Sequence, residues 1–249
     1  MSALLRTAAT EARLLTREPV AICVGILLPT VLLLGLGALP VLREPAPEFG
    51  GLRFVDTWAP MALILGTGIL CVQHLPSTLA SYREKGVLRR MSTTPVHPGV
   101  LLTAQIGVVS AAAPLSALLL VLSSWLVLDV EPPSRPLLFT AAFAVGTASL
   151  IALGVLVAAV APGATAASGL STALYMLLLL VGGVFLPQNV LPGFLARLGE
   201  VTPPGAQLLL ASWSGDSGGA VLPPLVQLAI MAGVALAAAA LAARLFRWE

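Results

Sequence analysis

The sequence predicts an all-α integral membrane protein. It has six transmembrane helices and an amphipathic helix ahead of them. A short basic helix separates spans two and three, and an outer re-entrant hairpin separates spans five and six. Three observations carry this reading. Of the 249 residues, 58% are hydrophobic and only 10% charged, where a soluble domain carries about a quarter; the mean hydropathy is +0.99. The apolar residues come in blocks of about twenty, the helix length that spans a hydrocarbon core, and not as the short alternating strands of a membrane barrel. The charges gather between the blocks, most densely from Tyr82 to Pro95, with a spanning-length apolar run on each side.

Residues 2–18 open the chain as an amphipathic helix. Arg6, Thr10, Arg13 and Arg17 form one polar stripe, with Leu4, Leu5, Ala8, Ala12 and Leu15 opposite, the pattern of a helix lying in the headgroup plane. A cleaved signal peptide is disfavoured, because the apolar run that follows is too long and no clear small-residue cleavage site appears. The first span covers about 20–42, with Pro29 as a mid-span kink. The polar loop Arg43–Thr57 leads to the second span, about 58–79, with Trp58 at the interface.

The charged island occupies 81–97. It sets Arg83, Lys85, Arg89 and Arg90 against Glu84 alone. Cations are costly inside a bilayer, so this cluster belongs in water or against a partner. Thr94-Pro95 reads as a helix N-cap with proline in the first turn. The third span runs over about 98–128 and is interrupted by Pro114; the fourth runs over about 137–160 after the Pro-rich loop Asp129–Pro136. The tight, chargeless turn Ala161–Thr165 leads to the fifth span, about 168–186. Segment 187–220 combines a surface helix (Leu191, Phe194, Leu195, Leu198, Val201), with Arg197 and Glu200 spaced to pair, a Thr202-Pro203-Pro204-Gly205 break, and the apolar piece Ala206–Ser212. That piece is too short to span, hence the expected dip into the outer leaflet, its backbone covered by protein. The sixth span is about 221–243. All of 1–249 is read as one domain.

Six spans put both termini on one side. Arg6, Arg13, Arg17, Arg83, Lys85, Arg89, Arg90, Arg244 and Arg247 then face inward, against Arg43, Arg53, Arg135 and Arg197 outside. This asymmetry places both ends in the cytoplasm. The Ala, Gly, Pro and Arg usage points to a GC-rich bacterial genome.

Several function classes are disfavoured. The net charge of +2 gives no sign of a nucleic-acid partner. Gly-x-x-x-x-Gly-Lys-Ser/Thr is absent, so the chain lacks an ATP-binding phosphate loop. The Gly-x-Ser-x-Gly elbow and the His-Glu-x-x-His zinc motif are also missing. Cys23 and Cys71 lie in apolar runs as small core residues; His74 reads as a hydrogen-bonded core residue and His97 as solvated. No metal or cofactor site follows. The spans hold no clear mid-membrane acid or base of the kind ion-driven pumps use, so energy must come from another subunit. An ion-coupled carrier and a non-transporting membrane anchor remain the alternatives.

The run Tyr82-Arg83-Glu84-Lys85-Gly86-Val87-Leu88-Arg89-Arg90-Met91, followed by Thr94-Pro95, resembles the cytoplasmic-loop signature of type-2 ABC exporter permeases. Gly182-Gly183-Val184-Phe185-Leu186-Pro187, Leu191-Pro192 and Thr202-Pro203-Pro204 resemble that family's outer segment, and the amphipathic start its elbow helix. The small outer segment is most similar to the daunorubicin-type drug-efflux branch. The resemblance implies a permease dimer, of two copies or of paralogues, embedded in membrane lipid. It also implies two separately encoded ABC ATPase subunits, which hold ATP and magnesium. Arg83, Glu84, Gly86, Val87, Leu88, Arg89, Arg90, Met91, Thr94 and Pro95 would couple to the ATPase, with Val87, Leu88 and Met91 filling its cleft and Glu84 pairing with Arg13 or Arg17. Thr67, Gln73, Thr172, Tyr175 and Met176, on spans two and five, are the expected substrate path for a drug, antibiotic, lipid or lipid-linked glycan; helix packing explains each one singly as well.

Overall fold

A computed structural model describes residues 23–46, 51–87, 99–184, 192–215 and 222–245. Among them, regular structure is helical throughout apart from one isolated bridge between Pro45 and Arg53. Five helices are long and apolar enough to cross a membrane: α2 (Phe54–Glu84), α3 (Gly99–Leu128), α4 (Pro136–Val160), α5 (Ala164–Val181) and α8 (Pro224–Leu245). A shorter apolar helix, α1 (Val24–Gly37), precedes them. Two short helices, α6 (Gly193–Val201) and α7 (Ala206–Ser214), lie between α5 and α8. The chain is a multi-pass membrane protein. The amphipathic segment 2–18 lies outside the described residues.

The boundaries differ from the sequence expectation where local chemistry differs from hydropathy. α1 ends at Gly37, short of the expected 42, because Pro40 opens a 3₁₀ turn, Pro40–Arg43, whose Arg43 Nε donates back to the Gly37 carbonyl. α2 is longer than expected at both ends. Phe54 and Val55 extend its start, and Ser81 to Glu84 continue it until Gly86, the first residue that breaks the helix. At about 1.5 Å per residue its 31 residues span roughly 46 Å, beyond the hydrocarbon thickness, so its charged end clears the membrane core. Pro114 does not interrupt the third span; it is carried inside a continuous 30-residue helix, as membrane helices tolerate.

Two π-helical turns widen the rods, Cys23–Leu27 at the start of α1 and Ile69–His74 within α2. Each is followed by proline at the second position of the next α-helical stretch, Pro29 and Pro76. A proline ring crowds the carbonyl four residues back, and a wider turn at that point gives the ring room.

The main core gathers the second half of α2 with α4, α5, α7 and α8, around Leu70, Leu75, Leu150, Leu179, Leu208 and Met231. A second cluster at the opposite end joins Leu33, Leu63, Leu120, Leu128 and Trp213. Lipid tails are as apolar as leucine, so packing and polar contacts select the partners inside a bilayer. Ser149 Oγ on α4 donates to the Met231 carbonyl on α8 (3.0 Å), Ser116 Oγ on α3 to Ile26 (3.2 Å), and Tyr175 Oη on α5 to Leu65 (2.9 Å). Glycine removes side-chain volume at the closest crossings. A Cβ on Gly154 would overlap the Cys71 carbonyl of α2, and one on Gly146 the Pro204 carbonyl.

The end of the bundle away from the basic island is tied by polar contacts. Arg53 pairs with Asp56 (Nη2 to Oδ1, 2.8 Å) and donates to the carbonyls of Leu128 (3.3 Å) and Asp129 (2.8 Å), fastening α2 to the end of α3. Its guanidinium pKa is raised, chiefly by the Asp56 hydrogen bond, with burial opposing. Ser134 and Arg135 bond the backbone of Ser212, Trp213 and Gly215, joining the α3–α4 loop to α7. The helix expected over 191–201 and the break after it are present, with Gly205 taking φ +74° between α6 and α7. The side chain of Glu200 is buried, and its Oε2 accepts from the Leu222 amide (2.9 Å) just ahead of α8.

Candidate functional site: the charged end of α2

The charged island begins as a continuation of a transmembrane rod. α2 delivers Arg83 and Glu84 on its last turn, and Lys85 caps it with its amide on the Ser81 carbonyl (2.9 Å). Gly86 then takes φ +67°, and its amide returns to Arg83 (3.0 Å). A Cβ here would meet nothing within 4 Å, so glycine is needed for the left-handed backbone and not for space. The helix therefore ends at the one glycine in the island. Val87 is half-buried; Leu88, Arg89, Arg90, Met91, Thr94 and Pro95 lie outside the described residues.

Arg83 and Glu84 reach a second loop. The Arg83 guanidinium donates to the carbonyls of Ala158 (3.2 Å) and Ala161, at the C-terminal end of α4. The Glu84 carboxylate accepts from the Ala164 amide (3.0 Å), at the first residue of α5. Each charge meets the helix end of complementary sign, a cation at carbonyls and an anion at amides. Ala80 of α2 packs with Ala161 and Ala167 beneath this junction. Six residues before the end of α4, Gly154 admits the Cys71 carbonyl of the π turn and Pro76. The end of α2 is thus seated against the α4–α5 turn by small side chains, and two charges close it. The expected partners of Glu84, Arg13 and Arg17, lie outside the described residues.

The five expected substrate-path residues fall into two groups. Thr67 and Tyr175 are buried at 3% and 4% exposure. Thr67 Oγ1 donates to its own helix at Leu63 (2.8 Å), and the Tyr175 ring lies against Gly68 while its hydroxyl bonds Leu65. Thr172 and Met176 sit on the exposed face of α5, and Gln73 is half-buried in the π turn. α2 and α5 are neighbours, and Tyr175 joins them through the Leu65 carbonyl.

An apolar groove of about 810 Å³ opens elsewhere, between α3, α4 and α8, with Ile106, Pro114, Phe143 and Leu236 among its walls. None of the five expected path residues lines it. A signal for it was present in the sequence: Ala144, Ala148 and Ala152 on α4, and Ala235, Ala239 and Ala243 on α8, recur every four residues and all line the groove. Among the described residues no three His, Cys, Asp or Glu side chains gather as a metal site.

A family model described as "ABC-2 type transporter" matches residues 5–204, from the N-terminal basic segment through the Pro203-Pro204 break. No curated protein matches the chain.

Proposed function

We propose, from the fact that this chain belongs to the ABC-2 type transporter family, that it is the permease subunit of an ATP-driven exporter. Proteins of this family are permeases, not ATPases, and usually work with an ABC ATPase partner. The proposal goes further. Two permeases, identical or paralogous, bind two ATPase subunits and move a hydrophobic or amphiphilic substrate outward: a drug, an antibiotic, a lipid or a lipid-linked glycan. The daunorubicin-type efflux branch fits the short segment between α5 and α8. The chain would sit in a bacterial cytoplasmic membrane with both termini inside.

One observation supports this reading most. The charged island begins on the last turn of α2, the most enclosed of the spans. A push on the island is therefore a push on the centre of the bundle. In the proposed cycle, ATP closes the two ATPase halves. The segment around Val87 to Thr93 sits in their cleft, with Val87, Leu88 and Met91 inserted and Arg89 and Arg90 against acidic groups or lipid phosphates. α2 and α5 then part from their counterparts in the second permease and open the path outward.

Charge reversal of both Arg89 and Arg90 tests this. The expected result is loss of ATPase capture in a pull-down and loss of transport-stimulated ATP turnover. Wild-type values for both would refute the role of the island. An ion-coupled carrier would lose transport to an uncoupler and keep it without any ATPase.

A further inference from the structure

We propose that Arg83 and Glu84, which the sequence resemblance places among the ATPase-coupling residues, instead act together as an internal latch that makes α4 and α5 move with the charged end of α2; they are positioning residues of the transport cycle and not part of the ATPase grip. The inference rests on the permease reading above. It assigns these two residues a partner 75–80 positions away in the same chain.

The turn they hold cannot hold itself. Ala161-Pro162-Gly163 carries no side chain able to accept or donate a hydrogen bond. The residue before α5 is Gly163, which offers no side-chain cap, and the carboxylate on the Ala164 amide is that of Glu84. At the other side of the turn, Arg83 takes the carbonyls of Ala158 and Ala161. So adjacent residues of one helix supply the C-terminal cap of α4 and the N-terminal cap of α5. Caps normally come from the residues flanking their own helix. Here both come from α2, and both face the turn by which α4 and α5 are joined.

The packing underneath gives the latch something to transmit. Ala80, Ala161 and Ala167 meet with no long side chain between them. Gly154 admits the Cys71 carbonyl, so α4 contacts the π turn of α2 backbone to backbone. Sliding α2 without the turn would break both charged contacts and open this alanine and glycine seam. Moving both together keeps these contacts. Displacement of the island then reaches α4, a wall of the 810 Å³ groove, as well as α2 and α5.

Removing Glu84 also uncaps α5, so the test separates latch from cap. Gly163 has extended backbone (φ −165°, ψ 177°), and a Cβ there would meet only Glu84 Oε2, at 3.6 Å. Gly163→Ser therefore gives α5 its own cap. Amide exchange of segment 161–167 is compared in the purified full chain for wild type, E84A, and E84A with G163S. E84A is expected to exchange roughly fivefold faster, the effect of losing one cap, and the added serine to restore protection. Unchanged exchange in E84A would show that the contact is not made, whatever the ATPase does. Reconstituted transport per ATP is then measured with the ATPase subunit. E84A and R83A are expected to bring down the ATPase as wild type does, with transport per ATP reduced about tenfold or more. The double variant is expected to stay reduced. Recovery of transport in the double variant would mean Glu84 is merely a cap, and loss of ATPase capture would put it in the partner's grip; either result overturns the latch. Transport by the wild type without ATP would instead refute the permease reading, and leaves the exchange result to decide the contact.

Discussion

Gly154 is the sharpest steric point in the bundle, and Gly154→Ala tests the packing there. A Cβ on Gly154 would stand inside van der Waals contact with the Cys71 carbonyl oxygen, 3.2 Å from its carbon and 3.5 Å from Pro76 Cγ. The obstacle is backbone, so no rotamer change relieves it. Restoring ordinary separations, about 3.5–4 Å between carbons, requires α4 and α2 to part by roughly 1 Å. Overpacking of this kind costs about 1–3 kcal/mol. For a chain of this size that lowers the melting temperature by roughly 2–12 °C. The assay is thermal unfolding of the purified protein in detergent. The paired control is Gly169→Ala on α5, where a Cβ meets nothing within 4 Å; helix propensity favours alanine there by about 0.5–1 kcal/mol. The seam would be refuted if G154A melts with wild type, or if G169A falls as far as G154A does.

Other expectations follow from single contacts. Gly86→Ala meets no neighbour but must adopt φ +67°, which costs about 1–2 kcal/mol; transport should fall, and Gly86→Asn, which tolerates that backbone, should recover part of it. Arg53→Ala loses Asp56 and the carbonyls at the end of α3, and thermal unfolding should report about 1 kcal/mol for this half-exposed group. The Arg53 pKa is raised in the fold, so its stabilisation is complete below the ordinary guanidinium range and lost only above it; melting of wild type relative to R53A should be flat between about pH 6 and 9. Ser149→Ala removes the bond to Met231 and should cost about 0.6 kcal/mol, typical of polar contacts between membrane helices. Tyr175→Phe deletes only the bond to Leu65; as a packing residue it should lower stability slightly and affect all transported dyes alike.

Hydropathy and proline placement made the long spans legible, because a twenty-residue apolar block has one stable form in a bilayer. α3, α4 and α8 lie close to the expected positions. Element ends were less legible. Glu84, not Leu79, closes α2, since hydropathy falls at Ser81 while helix geometry persists to Gly86. Pro29 announced distortion, but its form, a π turn ahead of it, and the second π turn ahead of Pro76 depend on how the neighbouring helices pack. The island was legible as a charged segment because its charges stand alone in an apolar chain. The hold of Arg83 and Glu84 on the α4–α5 turn was not, because their partners are backbone groups of alanines. A carboxylate suggests a cation as partner; nothing in a run of alanine names it as one. The expected path residues on α2 and α5 were chosen by polarity, and that choice gathers buried packing contacts such as Tyr175 with surface groups such as Thr172.

The central claim is that energy enters this bundle from a separate ATPase through the end of α2. Reconstitution of the purified chain in vesicles, with and without the ATPase subunit and ATP, addresses it most directly. Substrate movement that requires both additions, and that disappears when Arg89 and Arg90 are reversed, is the predicted result. Substrate movement by the chain alone, at the same rate without ATP, would contradict it.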